Sequence, residues 1–502
     1  MATFLGLDLG TSATKALLIN EAGDVLSTAV GHHETSSPEV GFSEQQPAQW
    51  WRSTIDAIAA VTKTAGISPE TIDAVGPTGQ MHGLVTLDGK LEEIRPAILW
   101  NDQRSAPQCV TFEEQFGIER LIAETGNRML PGFTAPKLLW MRENEPEEYA
   151  RIEHVLLPKD YIRFRLSGEL STDVSDASGT SVFACGQRKW SELMLDALAF
   201  PRSWWPEAHE SPSVTSTVSA EASAATGLRQ GIPIVAGAGD QAASALGMGL
   251  VSPGIAGVTL GTSGVVFAAS EKWRTTPDGS LHAFCHAVPN TWHVMGVILS
   301  AAGSYKWFNE AIAPDLGDPA ALDRLAQATP VGAEGLFYLP YLNGERTPHP
   351  DPHARGCFIG LSARHTRGHL ARAVLEGVTH ALRESLDLIN DLGINVSSGR
   401  ISGGGAASPL WRQLVADLLG LNIATTTSTQ GTAYGAALLA AVGGGAFESI
   451  QDACAKTVHE QELVFPGDDA AFFAEAHTIY TSLYPALAES FKAAATIREL
   501  SP

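Results

Sequence analysis

The sequence predicts an α/β protein of two domains that face each other across a cleft, and three observations carry that prediction. The chain has 502 residues, too many for one ordinary core and enough for two domains of roughly 200–250 residues. Strand-length apolar runs alternate with helix-length amphipathic stretches. Leu9-Gly-Thr-Ser12 returns as Leu260-Gly-Thr-Ser263, again between apolar runs, as two related domains would show. Gly and Pro cluster at Gly247–Pro253, so the domains are expected at residues 1–247 and 248–490.

Taken in order, Phe4–Leu9 is a strand that carries one carboxylate, Asp8, towards a turn of Gly10, Thr11 and Ser12. Lys15–Ile19 returns, and Val25–Val30 follows as a third strand. Pro47 opens a helix with Trp51, Ile55, Ile58 and Thr62 on one face. The strand Ile72–Val75 leads into a glycine-rich loop, residues 76–83, that carries Met81 and His82. Residues 107–125 are predicted helical, and residues 132–140 are a loop entering a helix. The polar stretches 156–160 and 171–180 are either substrate-binding or surface. Ile232–Gly239 is a strand that ends in Asp240, and the helix Ala242–Leu250 follows.

Gly257–Phe267 is the second strand–turn–strand unit. A long helix over 367–390 places Leu370, Val374, Val378, Leu382 and Leu386 on one stripe. Gly403-Gly404-Gly405 precedes a helix with Ser408 as N-cap and Pro409 as first residue. Gln430 begins another helix of small residues, and an amphipathic helix over 468–490 closes the pattern.

Bulk properties narrow the function. A formal net charge of −22 argues against nucleic acid as a partner. Five cysteines (109, 185, 285, 357 and 454) form no CxxC pair, which suits a reducing compartment. No signal peptide or membrane span is expected, so the protein is read as cytoplasmic. There is no P-loop, no G-x-G-x-x-G after the first strand, and no H-E-x-x-H. The remaining candidates are the two Leu-Gly-Thr-Ser turns, the triple glycine and Asp240.

These residues fit phosphoryl transfer from a nucleotide, which needs donors around the phosphates, a metal ion and a group to orient the attacking hydroxyl. Thr11, Ser12 and Lys15 would serve the phosphates from one turn, Gly261 and Thr262 from the other. Asp8 would act through Mg²⁺ or its waters, and Asp240 would accept the substrate proton. Each also has a plainer reading. Asp240 caps the helix behind it, the glycines make a tight connection, Met81 fills a core, His82 is a structural histidine and Lys15 is solvated.

With those residues in place, the chain resembles the FGGY carbohydrate kinases of the actin-like ATPase superfamily. One signature is matched by Gly132-Phe-Thr134-Ala-Pro-Lys137-Leu-Leu-Trp140-Met141-Arg-Glu143-Asn144. The other is matched by Gly356-Cys-Phe358-Ile-Gly360-Leu361 with His369-Leu370-Ala-Arg-Ala373-Val374-Leu375-Glu376. Gly79-Gln-Met81-His82-Gly83 and Gly237-Ala-Gly-Asp240-Gln241 are similar to the branch that acts on D-xylulose. The resemblance implies two ribonuclease-H-like domains with ATP in the cleft between them. It implies Asp240 as catalytic base and Met81 and His82 as sugar contacts. Asp8 would lie near metal and phosphates, Gly261 and Thr262 on the phosphate side, and Gly404 and Gly405 near adenosine. Asn101, Asp102 and Arg104 are further cleft candidates. Gln430 departs from the pattern, since many members carry an acidic residue there.

The expected reaction is ATP-dependent phosphorylation of D-xylulose to D-xylulose 5-phosphate with Mg²⁺. The partner is then a small sugar, and a homodimer is a candidate assembly. Another ketose or polyol, such as ribulose or glycerol, is the alternative substrate. An actin-like ATPase scaffold is the alternative class, and it would carry an added partner-binding module.

Overall fold

A computed structural model of the chain describes residues 2–316, 318–427 and 430–499. Two seven-stranded sheets organise it. The N-terminal sheet contains β1 (Thr3–Leu9), β2 (Ala13–Asn20), β3 (Val25–His32), β4 (Ala74–Gly79), β5 (Val214–Thr217), β6 (Pro233–Val235) and β7 (Ala238–Gly239). Its order is β5-β6-β4-β1-β2-β3, with β7 also on β4. β2 runs antiparallel to both β1 and β3, whereas β4 joins parallel to β1 and β6 parallel to β4.

The C-terminal sheet contains β8 (Ile255–Leu260), β9 (Gly264–Ser270), β10 (His282–Cys285), β11 (Trp292–Ile298), β12 (Ser398–Ser402), β13 (Asn422–Thr426) and β14 (Glu460–Val464). Its order is β10-β11-β9-β8-β12-β13-β14. Three antiparallel strands, β8, β9 and β11, are again followed by parallel β12 and β13. The two halves therefore repeat the ribonuclease-H-like arrangement, and the Leu-Gly-Thr-Ser turns occupy the same place in each. That outcome bears out the predicted fold class.

Helices cover both sheets. In the N-terminal half, α1 (Pro47–Ala65) buries Trp50, Ala57, Ile58 and Val61 against β2 and β3. α2 (Pro158–Ser167) packs beside it, and α3 (Asp240–Gly247) leaves the end of β7. In the C-terminal half, α4 (Arg367–Asp391) buries Val374, Val378, Leu382 and Leu386 in the main core. α5 (Pro409–Leu419), α6 (Gly431–Gly443) and α7 (Ala470–Glu499) also belong to this half.

One helix crosses between halves. α6 lies on the N-terminal sheet, where Ala433, Leu438 and Ala440 share a core with Phe4, Leu17 and Val235. Glycines permit the approach. A Cβ on Gly6 would stand 2.2 Å from the Ala433 carbonyl oxygen, and one on Gly76 would stand 2.1 Å from that of Ala436. Gly435 of α6 meets α3 in the same way, 1.9 Å from the Ala243 carbonyl oxygen. A second seam joins β10 and the chain around β11 to the N-terminal half. There Asn127 Nδ2 donates to Ala283 O at 2.9 Å, and the Cys285 amide donates to Ser178 Oγ at 3.0 Å.

Several local expectations change. The predicted strand Ile232–Gly239 is two short strands, β6 and β7, parted at Gly237 with φ 82°. The predicted helix over 107–125 is two helices, Ala106–Phe116 and Ile118–Thr125, broken at Gly117 with φ 93°. The glycine-rich loop at 76–83 is strand as far as Gly79, because Gly76 serves the packing of α6 and not a turn. The last helix runs past 490 to Glu499.

Replacing Gly435 by Ala should lower thermal stability, by ~1–3 kcal/mol for overpacking of this kind. Gly404→Ala, where a Cβ meets nothing within 4 Å, should change it by less than about 0.5 kcal/mol. Equal melting temperatures for the two variants would contradict this packing.

Candidate active site

The C-terminal ends of the N-terminal strands bring two carboxylates together. Asp8 lies opposite Lys15 on β2 and beside Thr78 on β4, and Thr78 in turn pairs with Ala238 of β7. The Thr78 hydroxyl donates to Ala238 O at 2.7 Å. Asp240 follows two residues on, as the first residue of α3. Gly239 is the N-cap of that helix, and the Asp240 carboxylate accepts a hydrogen bond from the Gln241 amide in its first turn, so some capping character remains beside its place in the carboxylate pair.

Both carboxylates sit in deep, half-closed positions. Burial raises Asp240 from its ordinary value of 3.8 to about 7, and the negative charge of Asp8 adds to the rise. Burial likewise raises Asp8 to about 6, against the opposing pull of Lys15. Lys15 is lowered by burial and raised by Asp8. Its ammonium donates to Gln430 Oε1 at 2.5 Å, just before α6. Gln430, at the start of α6, therefore holds the lysine of β2.

Met81 stands against Gly239, the residue before Asp240, and His82 follows it in the chain. A Cβ on Gly239 would fall 2.9 Å from Met81 Cγ. His82 has φ 70°, a left-handed conformation fixed by its surroundings. Its ring stacks on Phe133 at 4.3 Å, and Nδ1 contacts Gly179 O at 2.8 Å. A carbonyl only accepts, so Nδ1 carries the proton and Nε2 offers a lone pair. Burial drops the imidazole to about 3, which keeps it neutral.

Family-signature residues hold this loop from behind. Fully buried Lys137 donates to the carbonyl oxygens of His82 (3.0 Å), Gly132 (2.8 Å) and Ile98 (3.3 Å). The Thr134 hydroxyl also donates to His82 O, at 3.0 Å.

The turns carry the remaining candidates. Trp100 Nε1 donates to the Thr11 hydroxyl at 3.0 Å, and Ser12 is exposed. At the second turn, the amides of Ala301 and Ala302 donate to the carbonyls of Thr262 and Gly261 at 2.8 and 2.9 Å. With its carbonyls so engaged, the turn leaves exposed Thr262 and Ser263 outermost. β12 pairs with β8, so Gly403–Gly405 lies against Leu260: a Cβ on Gly403 would stand 2.6 Å from Leu260 O. Gly405 packs on Trp411, whereas Gly404 borders open space.

Some candidates take other roles. Asp102 is fully buried and clamps Arg104 at 2.8–3.0 Å; Arg104 also pairs with Glu44 at 2.7 Å and stacks on Phe42. This group braces the chain near residue 43 instead of lining the strand ends. Residues 171–180 are almost wholly buried, so the surface reading of that stretch fails. An apolar cavity of about 280 Å³ between α4 and α7 touches none of the site residues.

Two ribonuclease-H-like halves, each with a hydroxyl-bearing turn at its strand ends and with a half-enclosed carboxylate pair in one of them, define a phosphoryl-transferring enzyme of actin-like fold. The chain belongs to the FGGY family of carbohydrate kinases: residues 3–247 match the family's N-terminal domain and residues 256–444 its C-terminal domain. It is 44% identical to the xylulose kinase of Escherichia coli (strain K12) over 440 residues, 88% of this chain and 90% of that one. The crystal structure of xylulose kinase from Rhodospirillum rubrum superposes with a TM-score of 0.92 at 32% identity, covering 98% of this chain and 100% of that one. A gluconate kinase from Lactobacillus acidophilus superposes with 0.93 at 26% identity, covering 98% and 99%. Overall shape is thus shared by kinases of different sugars.

The carboxyl group of Asp240 should titrate near pH 7 in the free protein, read by NMR or infrared spectroscopy of labelled aspartate. Asp8→Asn removes the neighbouring negative charge, so the midpoint should move down. A midpoint near 4, or one unmoved by Asp8→Asn, would contradict this electrostatic arrangement.

Proposed function

We propose that this carbohydrate kinase transfers the γ-phosphoryl group of ATP to the terminal hydroxyl of D-xylulose, giving D-xylulose 5-phosphate. The observation that carries the reading is Asp240, half-closed beside Met81 and raised to about 7. A base with that affinity is about half ionised at neutral pH and able to take a proton there. The relatives named xylulose kinase at up to 44% identity support the choice of sugar.

In this reading Met81 and His82 form one wall of the sugar pocket. The lone pair on His82 Nε2 accepts a hydrogen bond from a sugar hydroxyl, and the Lys137 clamp keeps the loop from shifting. Asp240 accepts the proton of the attacking hydroxyl as the bond to phosphorus forms. Thr11, Ser12, Lys15, Gly261 and Thr262 serve the phosphates, and Gly404 and Gly405 leave room beside adenosine.

Asp8 fits a role in holding Mg²⁺, directly or through waters. Its oxygens are at the strand end, its charge is costly where it lies, and Lys15 is shared with Gln430. Bound there, the ion would neutralise phosphate charge. Closure of the two halves would exclude water and align the hydroxyl.

Asp240→Asn should lower kcat by at least about 10²-fold, with the KM for D-xylulose changed little. Coupled ADP release over D-xylulose, D-ribulose and glycerol tests both base and sugar. Near-normal turnover of the variant removes Asp240 from the role, and faster turnover of another sugar reassigns the substrate. His82→Ala should raise the KM for the sugar about 10-fold or more, for loss of one buried hydrogen bond and its ring contact, and leave the KM for ATP within about twofold. Equal loss for both substrates would contradict the assignment.

A further inference from the structure

Behind Asp240 lies a group of buried charges that the phosphoryl transfer does not use directly. Lys159, in the first turn of α2, is fully enclosed, and so are three carboxylates around it. Its Nζ lies 2.5 Å from Asp160 Oδ1, 2.9 Å from Asp173 Oδ1 and 3.5 Å from Asp176 Oδ2. Burial alone favours loss of the lysine proton, but the three carboxylates outweigh it and keep the ammonium charged. Burial in turn pushes Asp160 and Asp176 up. Asp173 is the member that reaches outward. Its Oδ2 accepts from the hydroxyls of Ser175 (2.5 Å) and Ser211 (2.8 Å) and from the Ser175 amide (2.8 Å).

Those two serines sit where a strand is missing. β7 pairs with β4 along one edge. Along the other edge, the Gly237 amide donates to Ser211 O at 3.1 Å, and the Gly239 amide donates to Ser175 Oγ at 3.0 Å. An unsatisfied amide here would cost the full desolvation of a buried donor. The hydroxyl of Ser175 cannot drift, because its proton is committed to Asp173 while its lone pair takes the Gly239 amide. Gly239 is the residue directly before Asp240. The chain Lys159–Asp173–Ser175–Gly239 therefore anchors the backbone that carries the candidate base.

We propose that Lys159, Asp173 and Ser175 are positioning residues for the kinase reaction, acting through the Gly239 amide on the placement of Asp240. The proposal rests on the reading of Asp240 as base. At this edge the Ser175 side chain takes the Gly239 amide where a strand's carbonyl would, and the Ser211 main chain takes that of Gly237.

The test compares Ser175→Ala, Ser175→Thr and Asp240→Asn in the full chain, with D-xylulose and ATP as substrates. Ser175→Ala cuts the link but leaves the ion cluster whole, so it avoids the folding defect that loss of Lys159 invites. It should lower kcat at least about 10-fold with both KM values within about twofold, as displacement of a catalytic group does. Ser175→Thr keeps the hydroxyl and should restore most of the loss. Wild-type kcat in Ser175→Ala, or a loss that Ser175→Thr does not restore, overturns the proposal. If Asp240→Asn is inactive while Ser175→Ala is unimpaired, the anchor alone fails. If Asp240→Asn turns over normally, the base reading fails and the anchor with it.

Discussion

Where α6 comes nearest the N-terminal sheet, backbone meets backbone. Gly6 and Gly76 present bare main chain on β1 and β4, and Gly435 does the same on α6 where α3 crosses it. Interiors pack at near-crystalline density, so a single methyl group at any of these places would push the elements apart. α6 comes from the C-terminal half, so this contact ties the two halves together. It also brings Gln430 to Lys15 and holds α3, whose first residue is Asp240, over the strand ends. The position of the carboxylates relative to each other follows from this close approach.

Electrostatics then decide what those groups can do. A low-dielectric floor penalises every charge that is not answered by another. Asp8 and Asp240 are raised because each is enclosed, and the charge of Asp8 adds to the rise of Asp240. His82 responds in the opposite direction and stays neutral, which turns it from a charged donor into an acceptor at Nε2. Lys137 is lowered by burial to about 7 and compensated by three carbonyl oxygens instead of a salt bridge. The cluster around Lys159 uses the other solution, one ammonium shared among carboxylates. Breaking such a buried cluster from one side costs about 3–5 kcal/mol, so it specifies local geometry strongly.

Periodicity and turn chemistry made much of the fold legible. The strands at 3–20, the helix opened by Pro47, the stripe on α4 and the Ser408 cap were visible because local pattern and tertiary role agree there. Glycine was the main source of error. Gly76 was read as part of a turn because sequence alone does not separate a glycine that bends the chain from one that admits a neighbouring helix. Gly117 was missed as a helix break for the converse reason, lying inside an otherwise helical run. The polar stretch 171–180 was left between substrate site and surface. Its residues satisfy one another inside the protein, an arrangement that needs Lys159 and Ser211 from elsewhere in the chain.

By itself the sequence determined the two-half architecture and the family, because these depend on residue type and short-range spacing. Tertiary structure alone decided which of them meet. Asp8 and Asp240 are separated by more than two hundred positions in the chain, as are Lys15 and Gln430, and their proximity is set by strand register and helix packing. The raised carboxylates, the neutral His82 and the anchor behind Gly239 all depend on burial and on partners from distant segments, which exist only once the chain has folded.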